Sequence, residues 1–454
     1  MMRIIPRTAL VLAIVALLAV AVIPTVMSNL MPFSSAAGSA LNPFAERYVR
    51  LVLALGQHDA DYVDAYYGSP EWRADAEARR ISLSEIELRA QALIQELAAA
   101  APPADAGELV LLRHQYLVRQ LEALRARLSM LSGTRLTFDE ESKALYDAVA
   151  PTHTPEEFQA TIASLDARLP GEGPLLQRFE AFRNRFVIPR DRLDATFTAA
   201  IGGCRARTLQ HVTLPPEESF TVEYVTNKSW SGYNWYQGNY RSLIQVNTDL
   251  PIYVDRAIDL ACHEGYPGHH VYNVLLEKHL VRDRGWIEFS VYPLFSPQSL
   301  IAEGTANYGI EVAFPRPERM QFEREVVFPA AGLDPAWAAE YYDVLAIVDR
   351  LAYAGNEAAR RYLNGDIDAA AAAEWLERYA LHSRPRAEQR IEFFDQYRSY
   401  VINYNLGKDM IARWIESQGG TADNPERRWD LFEHLLSSPR LPSSLSTPNL
   451  QPGG

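Results

Sequence analysis

The chain has little cysteine: two residues in 454, Cys204 and Cys262. That excludes a disulfide-rich scaffold and any zinc module built on thiolates; the pair reads as buried thiols, with a single bridge left open. Positive charge is also scarce, with 44 Lys and Arg against 57 Asp and Glu and a formal charge of −13. Such a balance is a poor footprint for phosphate backbones, so no nucleic-acid partner is expected. A Gly-x-Ser-x-Gly elbow is missing, which removes the common serine hydrolases, and Gly407-Lys408 lacks the flanking residues of a phosphate loop. No repeat of solenoid period occurs, and beyond residue 41 no apolar run is long enough to span a bilayer. What is present is a chain 48% hydrophobic and 22% charged, able to bury a sizeable core in one large or two modest globular units.

Arg3 and Arg7 precede an apolar run from Ala9 to Ile23, and small residues follow, Gly38-Ser39-Ala40 among them. This is the pattern of an export signal, so the expected location is the cell envelope, the periplasm or the outside. The segment is either a cleaved signal peptide or, extended to Met27, an uncleaved anchor that attaches the protein to the membrane. The organisation expected is a signal or anchor over 1–40, an N-terminal helical region over 41–215, a site-bearing region over 216–445 and a disordered tail over 446–454.

From Leu41 onward the apolar residues recur at three and four, as in Ile86, Ala90, Leu93 and Leu97, so the fold class is mainly α. Asn42-Pro43, Thr154-Pro155 and Ser296-Pro297 read as helix starts. Texture changes between Phe220 and Asn247, where Thr, Val, Tyr and Trp crowd around Ser231-Gly232 and Gly238. Phe220–Val225 and Tyr240–Val246 read as strands of a hairpin or small sheet.

Of the ten histidines, His263, His269, His270 and His279 fall within 17 residues, and Glu264 follows the first. Imidazole is a common zinc ligand, and a glutamate beside it can take a proton from metal-activated water. The usual second histidine, four residues on, is here Pro267. His269, at +6, would lie about 120° around an ideal helix and about 9 Å along it, too far to share an ion. Pro267 and Gly268 break that helix, because proline lacks an N–H and glycine tolerates distortion, so a bulge there would return His269 to the metal side. His270 keeps the azimuth but must lean back about 10.5 Å along the axis. His269 is favoured as ligand, and His270 as a donor to the transition state. Between Ser296 and Pro315, a helix of small residues carries Glu303, Asn307 and Glu311 on one face. Glu303 is the candidate third ligand, with Asn307 orienting an imidazole and Glu311 supporting.

These residues resemble the bacterial family catalogued as domain of unknown function 885. Its His-Glu-x-x-Pro-Gly-His-His signature is matched from His263 to His270, and a Glu-Gly-x-Ala segment by Glu303-Gly304-Thr305-Ala306 with Tyr308. A Tyr-x-x-Gly segment is matched by Tyr404-Asn405-Leu406-Gly407. The resemblance covers about residues 200–445 and implies a helical relative of the gluzincin metallopeptidases, with Zn²⁺ as cofactor, a peptide as substrate and an edge strand from 220–247 beside the metal. Two stretches depart from the family: Arg350–Asn356 and Glu392–Arg398 supply no histidine.

The expectation is an exported zinc peptidase in which His263, His269 and Glu303 hold the metal and Glu264 is the general base. His270 or Tyr404 would donate to the oxyanion, and Tyr240 and Tyr308 would contact substrate. Its rival is a non-catalytic, envelope-anchored helical protein with a structural metal site.

Overall fold

Prolines and capping side chains start the helices close to where the pattern puts them. Asn42–Leu55 begins on Pro43, Pro155–Arg168 has a capping box between Thr154 and Glu157, and Leu83–Ala99 buries just Ile86, Ala90, Leu93 and Leu97. The computed structural model describes residues 36–445. The apolar export segment and the tail expected at 446–454 lie outside the described residues. Among those described, no helix is long and apolar enough to cross a membrane.

The protein is mainly helical with two small sheets. One sheet pairs β1 (Val63–Tyr66) antiparallel with β5 (Val291–Pro293). This strand was not legible within the helical N-terminal region, because four residues are too few for a periodicity to separate strand from loop. The other sheet has the order β2 (Ser219–Val225), β4 (Arg241–Asn247), β3 (Gly232–Gly238). The two segments read as strands are neighbours, but they run parallel, with Phe220 opposite Ser242. They are therefore not the arms of one hairpin. The hairpin is β3–β4, closed by Asn239 and Tyr240, both at positive φ, the backbone that tight two-residue turns require. β3 alternates, with Asn234, Tyr236 and Gly238 buried and Trp235 exposed.

Helix α1 (Glu108–Leu131) ties the first half of the chain to the second. Its Arg113 is fully buried and forms a bidentate pair with Glu288, with Nη2 donating to Oε2 at 2.9 Å. The site is carried by α2 (Leu193–Thr208), α3 (Asp255–Leu260), α4 (His269–Leu276), α5 (Pro297–Ala313), α6 (Arg384–Tyr397) and α7 (Ile402–Ser417). α5 is the central rod, with Leu300, Ile301, Ala302 and Ala306 at most 1% exposed. Cys204 on α2 and Cys262 beyond α3 are both buried, unbridged and in side-chain contact.

Candidate metal centre

α3 does not simply stop before the motif. It widens into a π turn over Ala261–Gly265, the chain breaks at Tyr266–Gly268, and α4 starts at His269. The sequence pattern puts the bulge at Pro267-Gly268; the widened turn instead lies a few residues upstream of the proline. Its hydrogen bonds explain the position: Tyr266 N–H donates to Ala261 O at 3.1 Å and Gly268 N–H to Cys262 O at 2.9 Å, while Pro267 between them has no N–H to place. A side-chain carbon at Gly268 would fall 1.9 Å from the His263 carbonyl oxygen, so only glycine lets the chain fold back this tightly.

The fold-back brings the imidazoles of His263 and His269 to 4.7 Å between ring centres, at 90° to each other. Glu303 of α5 completes the group. Its Oε2 lies 3.2 Å from His263 Nε2 and 3.7 Å from His269 Nε2, and one donor atom from each residue falls within 4.8 Å of the others. The neighbours hold these groups in place. Tyr400 OH donates to Glu303 Oε1 at 2.8 Å. His263 Nδ1 lies 3.2 Å from Asn307 Oδ1, which leaves Nε2 turned toward Glu303, and Asn307 Nδ2 donates to Tyr404 O at 3.1 Å.

Charge is concentrated here. Burial acts to raise the Glu303 carboxyl, but the imidazoles of His269 and His263 outweigh it and hold it well below the usual carboxylate range. Burial acts to lower His269, yet Glu303 and Glu264 push it up to about 9. Burial raises the Glu264 carboxyl, partly offset by His263 and His269.

Glu303 Oε2 is buried and makes no hydrogen bond of good geometry, a costly state for a carboxylate oxygen unless something else satisfies it. Two imidazoles and one carboxylate form the donor set of hydrolytic zinc sites, which leave a position open. These residues fit Zn²⁺.

The triad opens on a cavity of about 990 Å³, whose walls include Glu264, Tyr404, Asp64, Tyr233 and Asn234. Glu264 is 4% exposed, and its Oε1 packs so closely on β3 that a side-chain carbon at Gly232 would come within 2.7 Å of it. Tyr404 sits with its ring 6.5 Å from that of His263. Burial first, and then the Glu303 charge, push its hydroxyl well above the usual tyrosine range, so it stays a donor.

The remaining candidates go elsewhere. His270 is fully buried, with Nδ1 2.9 Å from Ser242 Oγ and Nε2 2.9 Å from Glu218 Oε2. One residue is about 100° of helix, so when His269 faces the triad its neighbour faces the sheet. Glu311 is exposed and paired with Lys408. Tyr240 is a turn residue against Arg282, whose Cζ lies 4.6 Å from its ring centre, and Tyr308 packs against Phe432; neither is among the cavity walls. In turn, sequence reading missed Tyr400, Asp64 and Tyr233. Tyr233 OH donates to Asp64 Oδ1 at 3.0 Å, and burial raises that carboxyl to about 7. Tyr400 had a signal, lying four residues before Tyr404 and so one helical turn away.

No family model matches the chain, so the resemblance to domain of unknown function 885 stands on its motifs alone. No curated protein matches either. Among solved structures, the chain is similar to a candidate lipoprotein from Colwellia psychrerythraea, with TM-score 0.50, 14% identity, and 82% of this chain and 70% of that one covered. It also aligns with a candidate lipoprotein of unknown function from Shewanella oneidensis, with TM-score 0.41, 14% identity and coverages of 80% and 76%. An M32 carboxypeptidase from Deinococcus radiodurans gives TM-score 0.45, 11% identity and coverages of 88% and 91%. At these identities the first likeness concerns the fold alone, and the other two carry no argument.

Proposed function

We propose that the protein is an exported, zinc-dependent peptide hydrolase. The observation that carries this reading is that His263, His269 and Glu303 bring three donor atoms within 4.8 Å at the wall of a cavity that also presents Glu264. A structural zinc site is closed by four protein ligands, whereas three ligands facing a cavity leave room for water and substrate, which favours an enzyme over a scaffold.

A bound zinc ion supplies Lewis acidity, lowering the pKa of a water and polarising a carbonyl. The chain's own groups do the rest. Burial raises the Glu264 carboxyl above its ordinary value, partly offset by His263 and His269, which makes it a better proton acceptor than a free carboxylate. It accepts a proton from the attacking water and returns it to the departing amine. Tyr404 lies beside His263 and, still protonated, can donate to the developing oxyanion. β3 is an edge of its sheet and lends Gly232, Tyr233 and Asn234 to the cavity wall, so an extended substrate backbone can pair along it. The basic, apolar start of the chain supports export.

The test is metal analysis of the full chain with peptide cleavage, in the native protein and in Glu264→Gln. The expected result is one zinc per chain in both proteins, with cleavage lost in the variant by a factor of about 10²–10⁴. A native chain that binds no zinc sinks the reading. So does a Glu264→Gln protein that cleaves as fast as the native one.

A further inference from the structure

Buried guanidinium groups in this protein are generally paired. Arg113 is held by Glu288, Arg183 by Asp255 and Arg319 by Asp259. Arg428, buried with its Nε lacking a hydrogen-bond partner, is one exception, and two half-buried guanidiniums on the wall of the catalytic cavity are others. Arg386 and Arg390 lie four residues apart on α6, one turn apart on the same face, and both line the cavity. Among the described residues neither makes an ion pair or a side-chain hydrogen bond; Arg390 is flanked by rings, its Cζ 4.4 Å from the centre of Phe393 and 5.9 Å from that of Tyr404.

The groups facing them make the surplus worse. Burial first, and then the charges of Arg256, Arg183 and Arg390, lower Arg386 to about 10; the opposing carboxylate, Asp255, is already taken up by Arg183 and by Tyr341, whose hydroxyl donates to it at 2.5 Å. Asp259 is engaged by Arg319 at 2.7 Å and by Arg256 at 3.4 Å. His382, on the same wall, has a buried Nδ1 with no hydrogen-bond partner. Fixed positive charge without a partner in a confined space is costly, and planar guanidiniums suit a carboxylate better than any other common anion on a peptide.

We propose that Arg386 and Arg390 bind a carboxylate of the substrate, so that the hydrolase acts on peptides carrying a negative charge near the cleaved bond. This rests on the peptidase reading of the same cavity. The Tyr404 ring centre lies 5.9 Å from Arg390 Cζ and 6.5 Å from the centre of the His263 ring, which bounds how far the guanidinium can be from the imidazole. An extended chain covers about 3.3–3.6 Å per residue, so the carboxylate would lie no more than about four residues from the metal ligands. Two sources share that chemistry, a free C-terminus and an Asp or Glu side chain.

Three matched short peptides distinguish them: one with neutral side chains and a free C-terminus, one amidated with a single Glu, and one amidated and neutral. Their binding to the full-length Glu264→Gln protein is measured by calorimetry, and their cleavage by the native protein in parallel. The expected result is that at least one charged peptide binds 10-fold or more tighter than the neutral one, and which one does so names the source. Arg386→Gln and Arg390→Gln should each remove most of that preference, and Arg390→Lys should keep part of it. Equal binding of all three peptides, or of none, overturns the proposal, as does a preference unchanged in both Gln variants. The native comparison decides by itself if a variant fails to fold. Charge-dependent binding without any cleavage would remove the hydrolase reading and leave the anion site. Cleavage of all three peptides with equal kcat/KM would do the reverse.

Discussion

Gly304 and Gly407 lie back to back where α5 crosses α7. A side-chain carbon added at Gly304 would fall 2.6 Å from the carbonyl carbon of Gly407, and one added at Gly407 would fall 2.8 Å from the carbonyl oxygen of Leu300. The clashing atoms are backbone, so no rotamer change relieves them. This approach sets Glu303, one residue earlier, within reach of Tyr400, and Asn307, one turn later, within reach of the Tyr404 carbonyl.

Gly304→Ala should therefore push the two helices apart. Overpacking of this kind costs about 1–3 kcal/mol, or several degrees in Tm, and it moves Glu303 away from the imidazoles. Thermal melting and zinc content read both effects; a variant with native values of each would show that the close crossing is dispensable.

His269 and His270 should separate cleanly. His269→Ala removes a donor from the triad, so zinc content should fall while the fold survives. His270→Ala leaves the triad intact but strips a partner from the buried Glu218, which costs about 2–4 kcal/mol. Metal analysis and denaturant titration of the two proteins should give opposite patterns, and identical patterns would contradict the placement.

Asn307→Ala should leave melting nearly unchanged and weaken zinc binding about 10–100-fold, because the residue holds the His263 ring through Nδ1 without touching the ion. Competition against a chelator of known affinity measures this. Unaltered affinity would mean that packing alone orients His263.

Glu218 predicts a pH dependence of stability. Burial acts to raise its carboxyl, but hydrogen bonds from His270, Tyr266 and Arg205 outweigh this and hold it below its ordinary value of 4.5. With the folded pKa below the unfolded one, the unfolded chain takes up its proton first on acidification. The stabilisation is thus present above about pH 4.5 and is lost as the pH falls through the folded pKa. Glu218→Gln should cost about 1–3 kcal/mol at pH 7 and less at pH 3. Equal losses at the two pH values in denaturant titrations would sink the assignment.

Much of the helical architecture was legible because it is local. The turns begun by Pro43, Pro155 and Pro297 depend on a missing N–H and a fixed φ, and the buried face of Leu83–Ala99 depends on its own 3.6-residue repeat. The grouping of His263, His269 and Glu303 could be anticipated from residue chemistry, since few arrangements other than a chelate reward two imidazoles and a carboxylate around a broken helix. Strand pairing was another matter. Phe220–Val225 and Tyr240–Val246 read as strands, yet their parallel pairing depends on β3 taking the far side of β4, a choice made between segments rather than within one.

Residue order alone determined which positions carry the imidazoles and carboxylates of the candidate site, and that the helix bearing them must break near Pro267, because side-chain identity and backbone dihedral limits are properties of neighbours in the chain. Only the packed molecule decided that His269 rather than His270 joins Glu303, that Asp64, Tyr233 and Tyr400 belong to the same cavity, and that two guanidiniums on its wall have no ion-pair partner among the described residues. Those outcomes depend on distances between residues hundreds of positions apart, set by how closely helices approach and which buried charges find a counterpart, and no local periodicity encodes them.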